Sequence, residues 1–243
     1  MSLLFKIDHY SVSSVTTWRK CQRQWWAKYI EGKDQPAGEA ASFGTQYDMM
    51  IAQRIGCKLG KPEKLPESWV DGVAEAVEGY LCQPHALKTA TQAQVPVRVT
   101  PDEWNVLCEM QGFYAEIKKP IIGFADLVDE LKRIVVDLKT SSRKDTRDEW
   151  ALQVLFYSIA LALVEARIHL FTRTKVGAYY DFMVPIHPAS KKWAMIVLTR
   201  AINEIEQALE NGAGDELVRL PGYHCAWCPE NLDCCARNLI IGG

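Results

Sequence analysis

The sequence predicts an α/β (α+β) chain, and three observations carry that prediction. Helix-period patterns stand near both ends. Two apolar strands joined by a polar turn stand in the middle, and a capped helix separates them from two more strand candidates. The 243 residues, 48% of them hydrophobic, suffice for one good-sized core. No internal repeat, low-complexity run or linker divides the chain. It reads as one domain over 1–243, with a helical insertion at about 57–95 and a C-terminal cysteine cluster at 221–238.

Taken in order, a helix is expected from Ser14 to Ile30. Ser13 offers an N-cap, Gly32 a stop, and Val15, Trp18, Gln22, Trp25 and Tyr29 trace one side. A second helix is expected over Gln46–Ile55, entered through Gly44, and a third over Glu67–Leu81. Val95, Val97 and Val99 then alternate with other residues as a strand, and Pro96 marks an edge position. Strand-like alternation continues from Trp104 to Ile117, interrupted at Gln111-Gly112. Ile121–Val128 and Arg133–Lys139 read as adjacent strands joined by the turn Asp129-Glu130-Leu131-Lys132. Thr146 and Glu149 form a T-x-x-E capping box that opens a helix over Arg147–Val164. Two more strands, Ile168–Arg173 and Ala178–Pro185, precede a long helix over Lys191–Leu209.

Composition narrows the function. A net charge of −2 lacks the basic excess of a protein that coats duplex DNA, but it suits a site whose metal ligands are carboxylates. The longest apolar run, Ile159–Val164, is far short of the roughly 20 residues a bilayer needs. Lys6, Asp8 and His9 leave no signal-peptide core near the start. A cytoplasmic protein without a membrane partner is expected, so its eight cysteines call for an explanation other than disulfides.

The strand Ile134-Val135-Val136-Asp137-Leu138-Lys139 ends an apolar run with two charges on one face, because positions i and i+2 project together. The turn can fold Asp126 back beside Asp137. Two carboxylates with one ammonium can hold Mg²⁺ or Mn²⁺ against a phosphodiester, and lysine can position a water or offset phosphoryl charge. A D-x-K pair alone is more often an ordinary solvated pair. Two neighbours change the balance: Gly123, where close backbone approach before Asp126 would be useful, and Gln153 with Tyr157, four apart on one face of an apolar helix.

The order G-x-x-D (Gly123, Asp126), D-x-K-T (Asp137-Leu138-Lys139-Thr140) and Q-x-x-x-Y (Gln153, Tyr157) resembles the RecB-like branch of the PD-(D/E)xK nuclease superfamily. The resemblance implies a restriction-endonuclease-like core, a mixed central sheet flanked by helices, with a metal site where two central strands part. It also implies that Asp126, Asp137, Lys139, Gln153 and Tyr157 are catalytic, and that the Leu138 carbonyl joins Asp126 and Asp137 around the metal. That family places a histidine ligand in a G-T-x-x-H helix start. Here Gly44-Thr45-Gln46-Tyr47-Asp48 sets Asp48 in its place, as a hard-cation ligand or as a first-turn carboxylate favoured by the helix dipole.

Cys225, Cys228, Cys234 and Cys235 crowd the C-terminus, with the C-x-x-C spacing of zinc and iron–sulfur sites. If one of the adjacent pair serves, a ligand is missing, and Cys21, among Trp18, Trp25 and Trp26, is the candidate. Cys57, Cys82 and Cys108 read as small buried side chains. One early cysteine followed by C-x2-C-x5-C resembles the iron–sulfur nucleases, the CRISPR-associated exonucleases and AddB-type helicase–nucleases among them. That likeness implies a [4Fe-4S] cluster on Cys21, Cys225, Cys228 and Cys234, with Cys235 a bystander and zinc the chemical alternative. Such a centre would join the N- and C-terminal segments of the fold, so that metal binding contributes to folding.

Six basic residues against two acidic ones lie between Lys132 and Arg147, and Arg143, Lys144 and Arg147 follow the D-x-K strand directly. Arg19, Lys20, Arg23 and Lys28 form a second group, and Trp25, Trp26 and Trp150 could stack on unpaired bases. Basic runs of this kind are otherwise plain solvated faces. The expected activity is a DNA exonuclease on single strands or duplex ends in recombination, repair, phage DNA processing or CRISPR adaptation, with partner proteins from such complexes. The rival is a catalytically silent DNA-binding or scaffold subunit carrying a structural Fe–S or Zn centre.

Overall fold

A computed structural model describes residues 3, 6–33, 38–60, 66, 68–144, 148–212, 216–220, 225 and 228. The chain falls into two compact units. The first comprises 1–36, 99–122 and 195–243, and the second 37–98 and 123–194.

The second unit carries most of the strands. It contains α3 (Glu39–Ile55), β2 (Lys58–Leu59), α4 (Val73–Leu81), nearly all of β3 (Gln92–Val99) and most of β4 (Ile121–Asp129). It continues with β5 (Ile134–Ser141), α6 (Asp148–Ala160), β6 (Glu165–Thr172) and β7 (Ala178–Val184). The sheet runs β2-β3-β4-β5-β6-β7. The β4–β5 and β6–β7 pairs are antiparallel, whereas β2–β3 and β5–β6 are parallel, so the sheet is mixed. The parallel β5–β6 step needs a crossover, which α6 supplies. Helices α3 and α6 both pack on β5, as expected of a restriction-endonuclease-like core.

Phe43 and Tyr47 of α3 stack on Phe171 of β6 at 6.1 and 5.7 Å, over Leu127, Val136 and Leu138. Each such ring contributes roughly 1.5–3 kcal/mol by leaving water. Gly44 lets α3 approach the sheet, since a Cβ there would stand 3.2 Å from Thr140 Oγ1.

The first unit contains β1 (Tyr10–Ser11), α1 (Val12–Lys20), α2 (Gln22–Tyr29), α5 (Pro101–Met110) and most of α7 (Pro188–Asn211). Here β1 pairs in parallel with Ile121 and Ile122 at the start of β4. Four of its large buried side chains place their polar tips on a partner. Tyr10 donates to Glu206 (3.0 Å), Trp18 to Glu204 (2.9 Å), Trp25 to Ser14 (3.1 Å) and Trp104 to Thr199 (2.9 Å).

Several expectations are corrected. The single helix over Ser14–Ile30 is two, broken at Cys21, whose backbone is extended (φ −163°, ψ 111°). Ser11, not Ser13, caps it, accepting from Ser14 N–H. The second helix starts at Glu39 rather than Gln46, because Glu39-Ala40-Ala41 are good helix formers. The third starts at Val73 rather than Glu67, because Gly72 at φ +81° cannot continue a helix. The expected strand over Trp104–Ile117 is instead helix α5 as far as Met110 and turn or irregular backbone beyond it; Thr100 and Glu103 form a capping box with Pro101 in the first turn, and Trp104 and Cys108 bury one face. Helix α6 stops at Ala160, and Thr146 lies outside the described residues. Cys82 is exposed and Cys57 partly so; of the three isolated cysteines only Cys108 is buried.

Candidate active site

Pairing between β4 and β5 stops one position short of the acidic residues. Leu127 faces Val136, Val128 faces Val135 and Asp129 faces Ile134. Asp126 and Asp137 come next on their strands. Opposed side chains of an antiparallel pair share a face, so the two carboxyl groups turn the same way. The Leu138 N–H donates to Asp126 Oδ2 at 2.8 Å, and Gln94 Nε2 donates to Oδ1 at 3.1 Å. Lys139 Nζ lies 2.7 Å from Asp137 Oδ2. Asp137 is fully buried, and its Oδ1 has no hydrogen-bond donor among the described residues.

The electrostatics follow from that crowding. Burial pushes the Asp137 carboxyl up to about 7; Lys139 opposes the rise and the Asp126 charge adds to it. Burial raises Asp126 as well, against Lys139 and the donors Leu138 and Gln94. Both acids are thus held above the usual carboxylate range, and they titrate as a pair. Burial alone would lower the Lys139 ammonium, but Asp137, Asp126 and Asp48 outweigh it and raise it. Tyr157 is kept protonated by burial and then by the Asp137 charge. Gln153 Nε2 donates to its hydroxyl at 3.0 Å.

The glycine before Asp126 has a definite role. A Cβ on Gly123 would come 2.7 Å from the Tyr157 ring, so it is the ring of α6, rather than substrate, that requires glycine. Asp48 is half-buried on α3, and its charge reaches Lys139. Among the described residues, however, no three His, Cys, Asp or Glu side chains converge closely enough to hold one metal ion. Leu138 lies between Asp137 and Lys139 in sequence and buries its side chain in the apolar core beneath α3.

Two features escaped the sequence reading. Gln94, which bonds Asp126, carries no local mark. On β6 and β7, His169 Nε2 lies 3.5 Å from Asp181 Oδ1, Tyr80 and His169 Nδ1 share a 2.9 Å hydrogen bond, and Arg167 pairs with Asp181. Only the cross-strand register, His169 opposite Asp181, brings these together.

In the first unit, Cys21 is buried at the helix break and its thiol points to Val218 O at 3.9 Å. Gln22 Oε1 accepts from Val218 N–H at 3.0 Å, so the segment leading to the cysteine tail is pinned beside Cys21. Cys228 is buried and Cys225 half-buried, with Cys228 N–H donating to Cys225 O at 3.3 Å. Cys234 and Cys235 lie outside the described residues.

The nucleic-acid candidates divide. Arg143 and Lys144 are exposed, with Lys144 Nζ 4.4 Å above the Tyr180 ring, and Arg147 lies outside the described residues. Trp25 and Trp26 are buried and cannot stack on bases; Trp150 is half-buried. Arg23 is buried too, in a bidentate pair with Glu31 (2.5 and 3.0 Å), and so is not on a phosphate-binding face.

Residues 9–235 match the PD-(D/E)XK nuclease superfamily, and the chain belongs to it. Among solved structures, a protein from Eubacterium rectale, provisionally described as an exonuclease, is similar with a TM-score of 0.60 at 14% identity. The match covers 95% of this chain and 88% of that one. SSO0001 is similar with a TM-score of 0.50 at 14% identity and the same coverages, 95% and 88%. At such identities the likeness is one of fold. No curated protein matches. Nucleases of this superfamily typically use Mg²⁺ or Mn²⁺, and their substrate is DNA. No helix among the described residues is long and apolar enough to cross a membrane.

Proposed function

We propose that this nuclease is a Mg²⁺- or Mn²⁺-dependent DNA exonuclease acting on single strands or duplex ends, with Asp126, Asp137, Lys139, Gln153 and Tyr157 as its catalytic set. The observation that carries the reading is the buried Asp126–Asp137 pair, two carboxyls turned to one face beside a single ammonium, Lys139 Nζ lying 2.7 Å from Asp137 Oδ2. That donor set fits a hard cation, since it consists of oxygens and the buried Asp137 Oδ1 has no hydrogen-bond donor among the described residues. Asp126 and Asp137 would hold the ion with the Leu138 carbonyl, and Asp48 would contribute from α3. A bound divalent cation supplies polarisation of the phosphoryl oxygen and a water of lowered pKa.

The chain's own groups do the rest. Asp126 and Asp137 would each offer a carboxylate oxygen to the ion. Lys139, fixed by Asp137, offsets charge that develops on the phosphoryl group. Tyr157 accepts from Gln153 and stays protonated, so its own hydrogen is available to a phosphate oxygen or water. Exposed Arg143 and Lys144 bind neighbouring phosphates. The exonuclease description of the Eubacterium rectale structure supports the choice of DNA ends.

End-labelled single- and double-stranded DNA, incubated with Mg²⁺, Mn²⁺ or EDTA, tests this. Metal-dependent shortening from the ends, stopped by EDTA, is expected. Binding of DNA without cleavage under every condition would leave the silent scaffold reading instead.

The finer proposal for the first unit is a [4Fe-4S] cluster on Cys21, Cys225, Cys228 and Cys234. The burial of Cys21 and the pinning of Val218 beside it support that reading. Protein prepared without oxygen should be brown and contain iron and acid-labile sulfide, and Cys228→Ala should lose both colour and soluble yield. Stoichiometric zinc without sulfide would overturn the cluster in favour of a zinc site.

A further inference from the structure

Gln94 stands in β3 with φ +50°, a left-handed conformation that L side chains rarely adopt. Along Gln92–Val99 the alternation of buried and exposed positions is interrupted, for Gln94 and Val95 are both half-buried in sequence. That is the mark of a local bulge, which re-aims a side chain. The surroundings enforce it. Pro96 restricts Val95 to extended backbone. A Cβ on Gly60 would come 2.6 Å from both Gln94 O and Pro96 Cδ, so only a glycine fits against the kink. Gly60 N–H also ties the neighbouring strand to Ala93 O at 2.9 Å.

What the bulge delivers is a single contact, Gln94 Nε2 to Asp126 Oδ1 at 3.1 Å. Beside Gln94 lies a cavity of about 410 Å³, with Met49, Gln53 and Leu59 among its other walls. Close packing therefore does not dictate where the amide points; the carboxylate does.

We propose that Gln94 is a positioning residue for Asp126, held in a strained bulge so that a neutral donor fixes the carboxylate without neutralising it. The chemistry favours an amide over a cation. Asp126 already takes the Leu138 N–H on Oδ2. A second neutral donor on Oδ1 fixes the plane of the carboxylate and leaves its full charge for a divalent ion. Lysine or arginine in that place would compete with the ion. Backbone strain kept at such a point is expected where the surrounding structure over-determines it for a functional contact.

The inference rests on the proposed cation site, and the test separates the two. Mn²⁺ binding is measured by titration calorimetry on wild-type protein, Asp126→Asn, Gln94→Met and Gln94→Gly, with melting temperature and DNA cleavage recorded alongside. Wild type should bind Mn²⁺ and Asp126→Asn should not; binding by both alike would fail the cation site itself. Gln94→Met keeps the side-chain volume, and the cavity accommodates its end, but the donor is gone. It should bind Mn²⁺ roughly ten- to a hundredfold more weakly, the usual loss when an outer partner of a metal ligand is removed. Cleavage should fall by a similar factor at limiting metal and recover at high metal. Gln94→Gly relieves the strain at φ +50°, so its melting temperature should equal or exceed that of wild type while its Mn²⁺ affinity falls like that of Gln94→Met. A purely structural glutamine would give the reverse, a lower melting temperature with unchanged affinity. Unchanged Mn²⁺ affinity in both Gln94 variants, with wild type binding normally, overturns this role and leaves the cation site standing.

Discussion

Asp137 and Asp181 are both aspartates on sheet strands with a basic residue beside them, yet their neighbours push the two carboxyl groups in opposite directions. Asp181 is held below the usual carboxylate range, first by its contact with His169 and then by Arg167. Its side chain keeps 21% of its surface in water, and Glu165, which shares Arg167 with it, keeps 31%. Asp137 keeps none and is pushed up to about 7, although Lys139 touches it. A nearby cation is therefore not what separates the clusters. Burial does, together with a second carboxyl placed against the first. The β6–β7 cluster carries its own compensation and fits a structural role. The β4–β5 cluster is short of positive charge, which a divalent ion can supply.

The comparison can be broken at each end. The largest effect is expected from Lys139→Ala, which leaves two buried carboxyls without their ammonium. Cleavage should vanish, and removing one partner of a buried pair should destabilise the metal-free protein by about 3–5 kcal/mol, less whatever the aspartates recover by taking up a proton. Denaturant melts in EDTA measure this; a melt unchanged from wild type would mean that Lys139 is not the counter-charge described here. Asp181→Ala should do the opposite kind of damage. It takes from His169 Nε2 its carboxylate neighbour and from Arg167 one of its two acceptors, Glu165 remaining, and should cost about 1–3 kcal/mol, while single-turnover cleavage by the folded protein stays near wild type. A selective loss of cleavage would move Asp181 into the site.

Asp48 sharpens the middle of the scale. If it contributes to the ion from α3, Asp48→Ala should weaken cleavage at limiting metal and be partly rescued by excess. Asp48→His should be tolerated better, with a shift of preference toward Mn²⁺. Full activity of the alanine variant at limiting metal would assign Asp48 to its helix alone, at about 0.3–1 kcal/mol of stability. The smallest effect belongs to the Arg23–Glu31 pair. The Arg23 guanidinium holds Glu31 well below its usual range, at about 2. A depressed carboxylate contributes stability above its unfolded pKa and loses it as pH falls, here between 4.5 and about 2. Because Glu31 is largely solvated, Glu31→Gln should reduce that acid-side slope by no more than about 1 kcal/mol. A loss of stability in Glu31→Gln as large at pH 2 as at neutral pH would contradict the assignment.

The β4–β5 hairpin was legible because its information is local. Two apolar runs and a polar turn set the register, and the register sets Asp126 opposite Asp137. Period-two alternation then puts Lys139 beside them. The break at Cys21 was not legible, since Val15, Trp18, Gln22 and Trp25 keep a helical period straight through it. What interrupts the helix is tertiary, the Val218 segment bonded to Cys21 and Gln22. Helix α5 was legible but misread, for Thr100-Pro101-Asp102-Glu103 spells a helix start more strongly than the later alternation spells a strand. Gln94 and the His169–Asp181 contact carry no such mark. One depends on a bulge and the other on strand pairing, and neither feature shows in composition or spacing.

The most direct test of the central claim, that Asp126 and Asp137 form a site short of one cation, is a pair of melting curves for wild type and Asp137→Asn, in EDTA and across a Mn²⁺ titration. An amide of the same shape removes the buried charge conflict. In EDTA, Asp137→Asn should therefore melt at or above the wild-type temperature. Added Mn²⁺ should raise the wild-type melting temperature by mass action, by an amount that grows with the logarithm of its concentration, and leave the variant unmoved. A variant that melts well below wild type in EDTA, or that is stabilised by Mn²⁺ as strongly as wild type, would contradict the account.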